Sequence, residues 1–146
     1  MTTPAFLLRL MSYTKLSRSL KIGEEDREAL TFANALRAAT LEGRLDAVFL
    51  HPANELAGIT RKTPKGYRPL PQAALARALG LITGTSDYVF LRSSGALAIE
   101  FKSARGSLRL AQRDFKAWAE SVGVPFHVVR SAEDGLQILR DAGALS

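Results

Sequence analysis

The chain has 146 residues, no cysteine, 47% hydrophobic residues and a formal charge of +6. That length suits a single domain with a real core, and the missing thiols exclude disulfide frameworks and thiolate metal sites. No apolar run approaches the roughly 20 residues needed to span a bilayer. The Pro4–Leu8 run is broken by Arg9 and is short for a secretory signal, so a cytoplasmic, intracellular protein with no membrane contact is expected.

The charge is unevenly placed. Residues 1–21 carry 4 bases and no acid; residues 22–60 carry 3 bases and 7 acids. Residues 61–116 carry 11 bases and 3 acids, and residues 117–146 carry 2 bases and 4 acids. A basic block of this kind suits a polyanion, because phosphate contacts release condensed counterions. Nucleic acid is therefore the expected partner, although any single Lys or Arg in it reads equally as a solvated surface charge.

In chain order, residues 1–22 read as a basic N-terminal arm, either flexible or a short helix, ahead of one domain over residues 23–146. From Glu24 to about Thr40, Ala29, Phe32, Ala33 and Leu36 recur at helical spacing behind an acidic first turn. Asp46–Leu50 reads as a strand, and residues 51–70 read as a loop rich in Pro, Gly and base. Pro71 opens a helix to Ala78 that stops at Gly80. Residues 86–91 and 96–102 read as two strands joined by Ser93-Ser94-Gly95. On the second, Leu97, Ile99 and Phe101 face one way, and Ala98, Glu100 and Lys102 the other. Ser107 to about Ser121 reads as an amphipathic helix with Leu108, Ala111, Phe115, Trp118 and Val122 on one stripe. A strand over 125–130 follows, then a helix opened by Ser131, with Asp134 where a capping box usually has Glu or Gln. The order predicts an α/β fold with a mixed β-sheet flanked by α-helices.

Two of the three acids in the basic block, Asp87 and Glu100, fall on the paired strands, with Lys102 on the face of Glu100. Phosphodiester hydrolysis needs phosphate charge neutralised and water activated, and Mg²⁺ can supply both. Mg²⁺ prefers hard oxygens and commonly takes one or two carboxylates. Lys102 would orient the attacking water or meet charge developing on the phosphate. Each piece alone has a plain structural reading: a surface ion pair for Glu100 and Lys102, a turn residue for Asp87, a helix-edge amide for Gln112. His51 and His127 lack zinc-site spacing; His51 is a candidate phosphate contact and His127 a packing or surface residue.

The order Gly84-x-x-Asp87, then Glu100-x-Lys102, then Gln112 in the next helix resembles the PD-(D/E)XK nuclease superfamily. Within it the resemblance is to the small standalone phage and bacterial type of the VRR-NUC (virus-type replication-repair nuclease) family, over roughly residues 24–142. Asn54-Glu55 after His51-Pro52 is similar to an Asn-containing loop that precedes the site in such members. Ser86 departs from the Pro usual before the Asp, and Ser103 from the frequent Gly after the Lys. The resemblance implies a restriction-endonuclease-like fold and dependence on Mg²⁺ or Mn²⁺. It implies Asp87 and Glu100 as metal ligands with the Phe101 backbone carbonyl as a third, Lys102 as catalytic lysine, and Gln112 positioning the site. It also implies an acid from the first helix; Glu25, on the face of Ala29, Phe32 and Leu36, is foremost, with Glu28 and Glu24 as alternatives, and the plain reading is that all three complement the helix N-terminus.

DNA contacts are expected from Arg61, Lys62, Lys65, Arg68, Arg105, Arg109 and Arg113. The chain is too short for a separate sequence-reading domain. One such site cuts one strand, so cutting two would need two subunits, most commonly a homodimer; the resemblance to small standalone members implies action on branched DNA, such as four-way (Holliday) junctions. A non-catalytic DNA-binding accessory on the same fold, an RNA-processing nuclease, and a module binding an acidic protein are the alternatives.

Overall fold

In a computed structural model, which describes residues 2–12, 16, 19–53 and 60–146, the predicted elements appear together with two further strands in the second half of the basic loop. In chain order they are α1 (Ala5–Leu10), α2 (Glu24–Leu41), β1 (Val48–Leu50), β2 (Thr60–Thr63), β3 (Gly66–Pro69), α3 (Pro71–Ala78), β4 (Tyr88–Arg92), β5 (Gly95–Phe101), α4 (Leu110–Ser121), β6 (Phe126–Val129) and α5 (Ala132–Asp141). Four strands form one sheet in the order β1-β4-β5-β6. The β1–β4 and β4–β5 pairs are antiparallel, and β6 joins β5 in parallel after the α4 crossover. The molecule is thus a mixed α/β fold with a mixed sheet flanked by helices.

The loop expected over 51–70 is corrected. Its second half is a two-stranded hairpin, β2–β3, closed by Pro64-Lys65 and separate from the main sheet. Thr63 Oγ1 donates to Gly66 O at 2.6 Å across that turn. The Pro and Gly that read as loop signals punctuate a hairpin instead. Of the expected arm, residues 5–10 are helical, and Thr3 Oγ1 donates to Leu41 O at the end of α2, 3.0 Å. Lys15 and Arg18 of the arm lie outside the described residues.

Strand alternation divides the sheet into two faces. Tyr88, Phe90, Leu97, Ile99, Phe101 and Val129 point to one face, where α2 and α5 cover them with Phe32, Leu36 and Leu139. Phe32 is the centre of that core: its ring meets those of Tyr88, Phe90 and Phe101 at centroid separations of 5.1, 6.1 and 5.2 Å. Each such fully buried side chain stabilises the fold by roughly 1.5–3 kcal/mol. α5 approaches Phe32 through Gly135, where an added Cβ would lie 2.8 Å from the ring. Two side chains cap α5: Ser131 Oγ accepts Asp134 N–H at 3.1 Å, and Glu28 Oε2 accepts Ala132 N–H at 2.7 Å.

The opposite face carries Ala98, Glu100, Phe126 and Val128, and α4 packs on its β6 side, Phe115 against Phe126 at 6.1 Å. The expected stripe on α4 is only half buried. Phe115 is partly covered, but Trp118 and Val122 are exposed and Ala119 is the buried residue. The helix also starts three residues later than Ser107, because Gln112 Oε1 accepts the Arg109 N–H at 2.9 Å and closes the N-terminus there. Among the described residues no helix is long and apolar enough to cross a membrane.

Candidate functional site

β4 and β5 pair with Tyr88 opposite Ile99. One step further along the ladder sets Asp87 across from Glu100, on the α4 face and away from the aromatic core. The two acids then hold each other's backbones. Glu100 Oε2 accepts the Asp87 N–H at 3.0 Å, and Asp87 Oδ2 accepts the Phe101 N–H at 2.7 Å. Lys102 follows on the same face, its Nζ 2.9 Å from Glu100 Oε1. Gln112 Nε2, from the first turn of α4, donates to the same oxygen. Glu25, at the start of α2, comes within 3.8 Å of Lys102 Nζ. Asp87, Glu100, Lys102, Gln112 and Glu25 therefore converge in one place.

The two first-helix acids with polar partners separate by role. Glu25 faces Lys102, whereas Glu28 is committed to the N-terminus of α5. The atom of Phe101 seen in contact with an acid is its amide, not its carbonyl. Asn54 and Glu55 lie outside the described residues. Arg105, Arg109 and Arg113 are exposed around the N-terminus of α4 and form no ion pair among the described residues. Arg61, Lys62, Lys65 and Arg68 are all on the β2–β3 hairpin.

Three supports were not legible as such in the chain. Ser86 is wholly buried, and its hydroxyl donates to Tyr88 O at 3.0 Å, fixing the turn into β4. His51, one residue past β1, donates from Nδ1 to Asp87 O at 2.6 Å and lies against the Tyr88 ring at 5.1 Å. A carbonyl can only accept, so that bond requires a proton on Nδ1. Arg130 donates to the carbonyls of Ser103 and Gly106, pinning the turn between Lys102 and α4. The signal for all three was their nearness in sequence to strand ends.

Gly84 has the strictest local requirement. Its φ is +89°, and a Cβ there would come within 2.3 Å of Ala111 O and 2.8 Å of Gln112 N. The first turn of α4 therefore rests directly on the 84–87 segment, and that contact carries Gln112 to Glu100.

Burial sets the electrostatics. Glu100 is 1% exposed. Burial first, and the Asp87 charge second, push its carboxyl up to about 7 against the pull of Lys102. Asp87 is raised too, chiefly by burial and then by Glu25, with the Phe101 N–H and Lys102 opposing. Burial and the Asp87 charge hold the Tyr88 hydroxyl up at about 12. Two repelling carboxylates and one ammonium leave the pocket short of positive charge. Asp87 Oδ1 accepts no hydrogen bond among the described residues, although the side chain is half-buried. This donor set fits one hard cation completed by water and substrate oxygens. Among the described residues no group of three or more His, Cys, Asp or Glu is placed to hold a metal ion, so an ion at these two carboxylates would take most of its ligands from water and substrate. The approach is from the Asp87 and Glu25 side; the Glu25 side chain is 39% exposed and that of Lys102 only 9%.

Compared with family models, with curated proteins and with solved structures, the chain finds no match in any of the three.

Proposed function

We propose that this protein is a Mg²⁺- or Mn²⁺-dependent DNA endonuclease with a restriction-endonuclease-like fold of the VRR-NUC type, acting as a homodimer on branched DNA. The observation that carries the proposal is the convergence of Asp87, Glu100 and Lys102 from two paired strands, with Lys102 Nζ 2.9 Å from Glu100 Oε1 and Gln112 closing the other side. Asp87 and Glu100 would hold the ion, which supplies positive charge against the phosphate and acidifies water. The residues do the rest. Glu100, gripped by Lys102, Gln112 and the Asp87 amide, keeps its carboxylate in one orientation. In this reading the Lys102 ammonium would hydrogen-bond a phosphate oxygen or the attacking water. Gln112 spans Glu100 and the Arg109 amide, so the α4 N-terminus and its arginines move with the site.

The test is incubation with a labelled four-way junction and a matched linear duplex in Mg²⁺. Preferential junction cutting that disappears in Glu100→Ala is the expected result. Equal cutting of both substrates rejects structure selectivity, and undiminished cutting by Glu100→Ala rejects the site. An RNA hairpin in the same assay separates DNA from RNA processing.

One observation favours a second reading, a DNA-binding accessory without catalysis: both Glu100 oxygens already accept N–H donors, and the residue is 1% exposed. A metal titration by calorimetry distinguishes the two. An ion bound by the wild type and lost in Asp87→Asn supports the nuclease; no ion bound supports the accessory.

A further inference from the structure

The β2–β3 hairpin is costly for its size. Each strand has four residues, and every one except Thr63 is exposed. Neither strand joins the main sheet. Two-stranded hairpins of this kind are marginal in water. The register places Arg61 directly opposite Arg68 and Lys62 directly opposite Tyr67, with Lys65 in the turn. There is no acid between Thr60 and Pro69, and none of the four cations forms an ion pair among the described residues. Like charges directly across a ladder repel, so the bare hairpin is strained by the Arg61–Arg68 pair. A phosphate between the two guanidiniums turns that repulsion into two charge-assisted contacts.

Alternation distributes these charges around the ribbon. Arg61 and Arg68 share one face, Lys62 and Tyr67 the other, and Lys65 marks the tip. A single strand laid along one face would leave the other face's charge unanswered. A groove lined by phosphates on both sides answers all of it. The size agrees: with strands about 4.8 Å apart and side chains on both faces, the ribbon suits the roughly 12 Å major groove and not the roughly 6 Å minor groove.

We propose that β2–β3 is a duplex-binding ribbon that seats in the major groove of DNA, with Arg61 and Arg68 clamping one backbone phosphate and Lys62 and Lys65 taking its neighbours. The proposal rests on DNA being the partner, but not on catalysis. It assigns the ribbon to a double-stranded arm of the substrate.

Fluorescence anisotropy of the full-length chain with a short labelled duplex, in EDTA so that no cutting occurs, tests it across a salt series. Arg61→Ala/Arg68→Ala is expected to bind about 10- to 100-fold more weakly. Its plot of log K against log salt should be shallower by about 1.8, two phosphates at about 0.9 each. Arg61→Lys/Arg68→Lys keeps the charge and should keep the wild-type slope. Removing a like-charge pair should not lower the melting temperature, which separates lost contacts from lost fold. Wild-type affinity and slope in the double alanine variant overturn the proposal. So does a loss confined to single-stranded probe, especially one reproduced by Tyr67→Ala, which would make the ribbon a stacking platform. The nuclease reading fails separately: a wild type that never cuts in Mg²⁺ but shows these binding differences sinks catalysis and leaves the ribbon standing.

Discussion

At the residue scale, the buried carboxyl of Glu100 ties stability to pH. Its folded carboxyl ionises near 7, against an ordinary value of 4.5. A carboxyl raised on folding binds its proton more tightly in the native state, so its contribution favours folding at low pH and is withdrawn as pH rises from 4.5 to about 7. At about 1.4 kcal/mol per pH unit, ionising this group withdraws up to roughly 3 kcal/mol. Glu100→Gln mimics the protonated form and escapes that loss. In metal-free buffer at pH 8 it should melt several degrees above the wild type, and at pH 5 the two should melt within about a degree of each other. A variant that melts lower than the wild type at pH 8 would show that the Lys102 ion pair outweighs the cost of burying the charge. The same proton competes with any cation, so metal affinity should weaken as pH falls below 7.

At the element scale, the contact between α4 and the 84–87 segment decides whether Gln112 reaches Glu100. Gly84→Ala forces a Cβ to within 2.3 Å of the Ala111 carbonyl at a φ of +89°. The expected cost is about 2–4 kcal/mol from backbone strain and overpacking together. Gly80→Ala is the control: its φ is +110°, but nothing lies within 4 Å of the new Cβ, so only strain is added. Urea midpoints should drop clearly more for Gly84→Ala than for Gly80→Ala. Equal drops would mean that α4 does not rest on Gly84. This contact was not legible in the chain, where Gly84 stands out only as the first residue of the Gly-x-x-Asp motif. The β4–β5 hairpin was legible, because apolar alternation on both sides of Ser93-Ser94-Gly95 has few other solutions. The β2–β3 hairpin was hidden because its strand positions are filled by Arg, Lys, Thr and Pro rather than by apolar residues. Asp87, Glu100 and Lys102 could be placed together by counting along two paired strands. Gln112 could not, since its approach depends on how α4 docks, and only the motif resemblance singled it out. Glu25 is favoured over Glu28 already by its helix face, but that the N-terminus of α5 claims Glu28 could not be read from the chain.

At the scale of the whole molecule, an acidic pocket lies within a chain of net charge +6. Among the described residues, Lys102 faces Asp87, Glu100 and Glu25, and His51 also offsets the Asp87 charge. If a phosphate backbone meets this pocket, ionised carboxylates repel it in the absence of a cation, while the surrounding arginines attract it. The two effects act over similar distances, because the Debye length at 0.1 M salt is about 10 Å. Removing one pocket charge should therefore tighten DNA binding, even though the proposed reaction would lose a metal ligand. Asp87→Asn in EDTA at pH 8 is expected to bind duplex about 2- to 10-fold more tightly than the wild type, a Coulomb gain of roughly 1 kcal/mol for one partly screened charge. Adding Mg²⁺ should then tighten the wild type towards the variant and leave the variant nearly unchanged, because only the wild type has the charge for the ion to neutralise. Anisotropy with and without Mg²⁺ measures both effects. If wild type and Asp87→Asn bind DNA equally in EDTA, no phosphate comes near position 87. DNA would then be held by the basic surface alone, and the acid pair would be a structural clasp between β4 and β5.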